Sequence, residues 1–152
     1  MQDIAFSALV HGVYVITTRL GNRVNGMTAS WVSQVSLRPL FLMVSIAPPR
    51  YSHDLIKESG TFAVNVLTQD QVDLGKRFGY QSGRRVDKFA GLEYITAVTG
   101  APILPQAHAY FDLKLVEIFP AGDHSLFVGE VLEARILHPH TQPLVFRKED
   151  FF

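Results

Sequence analysis

The sequence predicts a mainly β protein with short helices, arranged as a β-barrel with inserted helices. Three observations lead there. Six or seven short runs rich in β-branched and aromatic residues are separated by Gly, Pro, Asn and Asp turns. Two stretches carry helix start and stop signals, and both are brief. Leu40-Phe-Leu-Met-Val-Ser-Ile46 is apolar at nearly every position. That pattern suits a strand covered on both faces, by a closed barrel or by a second subunit. Strands do not alternate regularly with helices, which argues against a βαβ sheet.

Taken in order, Gly12-Val-Tyr-Val-Ile-Thr-Thr18 reads as the first strand. The loop Leu20 to Val24 leads to Asn25-Gly26, a pair that readily takes φ > 0 at both positions and predicts a hairpin turn. Arg38-Pro39 breaks the next strand, Leu40–Ile46 follows, and Ala47-Pro48-Pro49-Arg50 turns. Ser52 is a suitable N-cap for a helix over His53–Ser59, which Gly60 stops. Thr61 to Leu67 is another strand. Thr68 is the expected cap of a helix over Gln69–Phe78, stopped at Gly79. Tyr80 to Gly91 is a polar, basic loop, and Thr99-Gly-Ala-Pro102 is a turn. Tyr110–Phe119 and Leu126–Ile136 form a long hairpin about Pro120-Ala-Gly-Asp123, and Leu144-Val-Phe146 is a short last strand.

The composition narrows the function. With 152 residues, 47% apolar and 18% charged, the chain is expected to form a single domain over 1–152 with a real core. The absence of cysteine excludes disulfides, thiolate nucleophiles and cysteine-ligated metal centres. The apolar start, Ile4 to Thr18, has Asp3 and no Lys or Arg before Arg19, so it lacks a signal peptide's basic end and is too short to span a bilayer. A cytoplasmic location is the expectation. Net charge is zero but uneven. Residues 1–88 hold 10 Lys/Arg against 6 Asp/Glu, and residues 89–152 hold 4 against 8. The basic half suits a phosphorylated ligand or is simply a solvated face. No basic run with interleaved aromatics points to nucleic acid.

Several chemical signatures fail. Gly21-Asn-Arg-Val-Asn-Gly26 has phosphate-loop spacing, but Met27-Thr28 stands where Lys-Ser/Thr is required. No Gly-x-Gly-x-x-Gly occurs. His138 and His140 alternate, a weak metal signal that a surface position explains as well, and no nucleophile elbow appears. Positive evidence lies in Asn25-Gly-Met-Thr-Ala-Ser-Trp-Val-Ser-Gln-Val-Ser36, where short and hydroxylated residues surround the only tryptophan. Short side chains let a ligand approach the main chain, and hydroxyls and N–H groups can donate to it.

Read together, five segments resemble the flavin reductase-like family. They are Asn25-Gly-Met-Thr-Ala-Ser30; Val44-Ser-Ile46 with Ser52-His53; Phe62-Ala-Val-Asn-Val-Leu67; Val86-Asp-Lys-Phe89; and Gly122-Asp-His-Ser-Leu-Phe-Val-Gly-Glu-Val131. They run in the family's order from about Gly12 to Phe146. The resemblance implies an FMN-binding split barrel of Greek-key type and a homodimer with flavin near the subunit interface. It implies that Thr28, Ala29, Ser30, Trp31 and Val32 line the isoalloxazine, with Met27 also among the cofactor-binding residues. Ser45, Ile46 and Ala47, with Arg50 and Ser52, lie towards the ribityl phosphate, and Lys88 and Phe89 close the site. His124 matches the histidine that faces flavin and nicotinamide. FMN is the implied cofactor, with FAD also compatible, and NAD(P)H the electron donor. Free flavin, a partner monooxygenase or ferric iron would be the acceptor.

The residues suit this chemistry without the family. A flat cofactor needs a close wall and hydrogen-bond donors, and it carries the redox step itself. Its phosphate needs cations or N–H groups, which Arg50, Lys88 and the helix near Ser52 could supply. Arg50 and Lys88 are equally readable as surface charges, Trp31 as an interface aromatic, Ser45 as a buried hydroxyl and His124 as a turn residue. Two other readings stay open at this point: a flavin-binding electron carrier without NAD(P)H activity, and a barrel for another flat ligand such as haem or a pyridoxal derivative.

Overall fold

The first hairpin turns at Gly21-Asn22, four residues before the expected place. The computed structural model describes residues 2–152. In it, β1 (Tyr14–Leu20) and β2 (Arg23–Ala29) pair from Leu20↔Arg23 to Tyr14↔Ala29. Gly21 takes φ 63° at the turn. Asn25 and Gly26 lie inside β2, where glycine serves packing instead. A Cβ on Gly26 would lie 2.9 Å from the Phe78 ring, so the bare backbone is what lets that ring press on the strand.

The other strands are β3 (Val32–Ser36), β4 (Phe41–Ile46), β5 (Thr61–Val66), β6 (Ala109–Ala121) and β7 (His124–Ile136). All pair antiparallel in one sheet of order β2-β1-β5-β6-β7-β4-β3. The two edge strands, β2 and β3, are neighbours in sequence, joined only by Ser30-Trp31. A flat sheet of seven strands would hold its edges about 29 Å apart, at ~4.8 Å per strand. Three Cα steps from Ala29 to Val32 reach at most about 11 Å. The sheet must therefore curl until its edges nearly meet. The expected closure is not reached: β2 and β3 do not pair, and a seam remains between them.

The chain's helices are short. Helix α1 (Gln2–Phe6) was not foreseen. Helix α2 (Tyr51–Ser59) ends as expected on Gly60, which takes φ 73° and donates its N–H to Ile56 O. It starts earlier than expected, with Arg50 as N-cap, so Ser52 sits in the first turn and is not the cap. Helix α3 (Val72–Gly79) is capped by Gln71, not Thr68. The Gln71 side chain reaches back to accept the Thr68 N–H at 2.9 Å, and the helix begins after that turn. Helix α4 (Lys148–Phe151) lies near the C-terminal end, also unforeseen. Leu144–Phe146 does not extend as a strand. It is pinned by single bonds, Leu144 N–H to Leu67 O and Phe146 N–H to His11 O, and by an isolated bridge from Val145 to Gly12.

Two larger clusters, with a small third one of Ala63, Ala101, Ile103 and Tyr110, hold the sheet. Ile16, Val44, Ile46, Phe62, Leu113 and Phe127 fill its concave side with Ile56 of α2. Val13, Val15, Leu67, Phe78, Phe89, Leu104 and Phe151 pack the layer under α3 and α4. On β4, Leu42, Val44 and Ile46 are buried while Phe41, Met43 and Ser45 are only half-buried. Within this one chain the strand expected to be covered on both faces, by a closed barrel or by a second subunit, is buried on one face and half-buried on the other. Among the described residues no helix is long and apolar enough to cross a membrane.

Candidate functional site

The seam is where the site forms. β2 supplies Met27, Thr28 and Ala29, and the connection supplies Ser30 and Trp31. The end of β4 supplies Ser45, with Ala47 just beyond it. These residues, with Arg50 and His124, line a hollow of about 180 Å³. The Ser45 N–H donates to Trp31 O at 3.0 Å, which fixes the connection against β4. Thr28 Oγ1 donates to Gly75 O at 2.6 Å, tying the wall to α3. Ala29 and Ser30 carry almost no side chain, so the wall there is largely backbone.

His124 reaches this hollow from the β6–β7 hairpin. Its two-residue turn, Gly122-Asp123, needs the φ of 61° that Gly122 provides. His124 Nδ1 lies 2.7 Å from Asp123 Oδ1. A carboxylate only accepts, so Nδ1 carries the hydrogen and Nε2 remains for the hollow. The same bond holds the Asp123 carboxyl below its ordinary value. The imidazole leans against Trp31, with centroids 5.0 Å apart and planes tilted by 47°. Behind it, Ser125 Oγ meets His53 Nε2 at 2.8 Å, and the His53 ring sits edge-on to Phe127. That pair ties α2 to the start of β7.

Arg50 also borders a second hollow, of about 240 Å³, with Asn25, Met27, Ser52, Lys88 and the loop Gly79–Gly83. Among the described residues the Arg50 side chain makes no hydrogen bond or ion pair. Lys88 is buried, and its Nζ donates to Gly26 O at 2.8 Å and to Phe78 O at 3.0 Å. Burial first, and the Arg50 charge second, pull its ammonium down to about 8. An ammonium has three donors, so one is left beyond the two carbonyls. Asn25 Nδ2 donates to Ser52 Oγ at 2.8 Å, leaving that hydroxyl's own hydrogen for another acceptor.

Of the expected site residues, Met27, Thr28, Ala29, Ser30, Trp31, Ser45, Ala47, Arg50 and His124 meet at the first hollow, and Ser52 and Lys88 meet Arg50 at the second. Three lie elsewhere. Ile46 is 1% exposed and points into the core, as alternation dictates between Ser45 and Ala47. Val32 packs on that same core. Phe89 is buried edge-on between Phe78 and Tyr94. Conversely, Asn25 and Asp123 were not expected there. Asn25 looked like a turn residue, and only its pairing register places it beside Ser52. Asp123 had a local signal, since a carboxylate next to a histidine in a two-residue turn can reach its ring. Tyr51 at the start of α2 and Tyr80 in the loop, which also line the second hollow, had none.

A curled antiparallel sheet with a groove at its seam, backbone-walled at one end and cationic at the other, defines a class suited to a flat ligand with an anionic tail. Comparison with known proteins gives the family. The model of the flavin reductase like domain matches residues 6–152, and the chain belongs to that family. It is 35% identical over 139 residues to a protein of Archaeoglobus fulgidus named ferric-chelate reductase (NAD(P)H), covering 90% of this chain and 82% of the relative. Among solved structures, the FMN-binding protein of Thermus thermophilus superposes with a TM-score of 0.86 at 30% identity, covering 96% of this chain and 86% of that one. The NADH:FAD oxidoreductase SgcE6 of Streptomyces globisporus gives 0.88 at 28% identity, covering 95% and 86%. Other curated relatives are longer, and the chain spans 61% and 53% of the length of two of them.

Proposed function

We propose that the chain is an NAD(P)H-dependent flavin reductase, a single flavin-binding unit over 1–152 in the split-barrel arrangement of Greek-key type. The observation that carries this is the groove on both sides of Arg50, with a backbone wall and a histidine at one end and cations at the other. The flavin, when bound, supplies the ring that accepts hydride from the nicotinamide and passes electrons on. Thr28, Ala29 and Ser30 give that ring a surface without bulk. Arg50 offers a free guanidinium to the phosphate, joined by the remaining donor of Lys88 and the hydroxyl of Ser52. His124, held at Nδ1 by Asp123 and flanked by Trp31, presents Nε2 to the nicotinamide carboxamide or the ring edge. Its task is to position, and no side chain here needs to act as a strong base.

The names of the relatives support the donor and the flavin: one is an NAD(P)H ferric-chelate reductase and one an NADH:FAD oxidoreductase. The acceptor would be free flavin, ferric iron or a partner monooxygenase. We take the protein to be a cytoplasmic homodimer. Val35, Leu37 and Leu40 are exposed at the β3–β4 edge, beside the half-buried outer face of Phe41 and Met43, and Trp31 is exposed at the other end of β3. Such a patch is what a second subunit would cover. The test is direct. Purified protein reconstituted with FMN should show flavin absorption, and anaerobic NADH or NADPH should bleach it in a stopped-flow mixer. Retention of flavin without bleaching by either nucleotide would reduce the reading to an electron carrier. Failure to bind flavin would reject it.

A further inference from the structure

The first residue of β7 held from both sides is Ser125, which pairs with Ile46 of β4 and Pro120 of β6. One step nearer the turn, His124 pairs with Ala121 alone. Neighbours on a strand point to opposite faces. With His124 turned to the hollow, Ser125 therefore turns to α2, where its Oγ lies 2.8 Å from His53 Nε2. We propose that His53 is a positioning residue. Its bond to Ser125 fixes the strand directly behind His124 and so sets where the His124 Nε2 stands in the hollow. The proposal rests on the reductase reading above, and it gives α2 a task at the ring end of the groove besides its task at the phosphate.

His53 is itself held on every side. It is buried, and its backbone N–H donates to Arg50 O at 3.0 Å in the first turn of α2. Its Nδ1 lies 3.0 Å from Asp54 Oδ1. A carboxylate only accepts, so Nδ1 carries the hydrogen, and Nε2 of the neutral ring accepts from the Ser125 hydroxyl. The ring stands edge-on to Phe127, with centroids 4.9 Å apart and planes at 88°. Tautomer, ring plane and reach are thus each set by a different neighbour. Asp54, His53 and Ser125 are connected like a hydrolase triad, but Ser125 lines neither hollow of the groove and its hydroxyl faces a helix instead of a substrate. What the bond can do is mechanical. His124 has its own contacts, to exposed Asp123 and to half-exposed Trp31. They turn the imidazole but do not anchor the backbone beneath it. Ser125 is the nearest point at which that backbone is tied by a side chain to a buried group. Without the tie, the end of the hairpin can pivot about the Ile46–Ser125 pair. Reaction geometry is lost within about 1 Å of misplacement.

The test pairs stopped-flow reduction of the FMN-loaded protein with the emission of Trp31. As the only tryptophan, and one that leans on His124, it reports the place of that ring without any flavin. Ser125→Ala and His53→Leu should each slow reduction at saturating NADH or NADPH about fivefold, with KM within about twofold, the scale of one net hydrogen bond spent on position. Both should shift Trp31 emission in the flavin-free protein. His53→Gln, whose amide can still meet the Ser125 hydroxyl, should return rate and emission to native. The double variant Ser125→Ala/His53→Leu should be no slower than either single one, since both cut the same bond. A tie that serves only the fold behaves otherwise: the melting temperature falls while saturated rate and Trp31 emission stay native, and that result would overturn the proposal. So would additive losses in the double variant. Ser125→Ala removes one atom, and it carries the test alone if His53→Leu does not fold. If the native protein holds flavin that neither nucleotide reduces, the reductase reading falls and emission decides: a shift upholds His53 as the residue that places His124, and no shift overturns it.

Discussion

The two ends of the groove are made of different material. The end at Thr28–Trp31 and His124 is strand: its side chains sit at fixed registers of a hydrogen-bonded sheet, and its wall is mostly backbone. The end at Arg50, Ser52 and Lys88 is a turn, a helix start and a loop, held by side-chain bonds from Asn25, Arg84 and Lys88 itself. The strand end can discriminate by shape and hold a reacting group still. The loop end discriminates by charge. A substitution at one end should therefore change a different observable from a substitution at the other.

The largest separation is expected at the charged end. Arg50→Ala removes the one guanidinium shared by both hollows, and FMN binding should weaken by about 1.5–3 kcal/mol, the range for a hydrogen bond to a charged group. Riboflavin, which lacks the phosphate, should bind as before. Fluorescence titration of both ligands measures this, and equal losses for both would show that Arg50 supports the ring as well. Next comes His124→Ala at the strand end. Anaerobic reduction of bound flavin should slow by roughly 10–100-fold, the scale of one positioning hydrogen bond. Flavin affinity and melting temperature should stay put. An unchanged rate with a lowered melting temperature would make His124 a turn residue only. Asp123→Asn should give a smaller loss in the same rate, because it frees the ring without deleting it.

Ala29→Leu is expected to act through bulk. The hollow is open on one side, so the cost should fall in the lower part of the overpacking range, about 1–2 kcal/mol. It should penalise FMN and riboflavin alike, the reverse of the Arg50 pattern. A loss confined to FMN would mean that the wall faces the phosphate, and the two ends would have to be exchanged.

How much of this could be read from the chain follows the same division. The strand end was legible, because period-two alternation, Gly122-Asp-His124 and the small residues after Met27 are local signals. Even there the register was not: Asn25-Gly26 carries the stronger turn signal, yet Gly21-Asn22 makes the turn. What decides it is that Phe78, about fifty residues away, needs a bare backbone at Gly26. Ile46 and Phe89 came to the site from the family resemblance, and their side chains lie in the core, where alternation and aromatic packing place them. The loop end was legible only as a charge excess. That Lys88 spends two donors on the carbonyls of Gly26 and Phe78 is a fact of tertiary packing that no spacing encodes.

Lys88 gives the smallest of these effects, and the one most specific to the charged end. Its ammonium titrates at about 8, lowered by burial and then by Arg50. A phosphate placed beside it would favour the charged form and so raise that value in the complex. Binding then takes up a proton wherever the free site has lost one and the complex has not. The sign follows: from about pH 7 upward, FMN affinity should fall as pH rises through 8. The phosphate contributes no slope there, since its second ionisation, near 6, is already complete. One proton limits the loss to about tenfold between pH 7 and pH 9, roughly 1.4 kcal/mol. Riboflavin should show a flat profile over the same range. If riboflavin declines in parallel with FMN, the ionisation acts through the Gly26 and Phe78 carbonyls on the wall, and Lys88 belongs to the fold. If FMN alone declines, the third donor of Lys88 points at the phosphate.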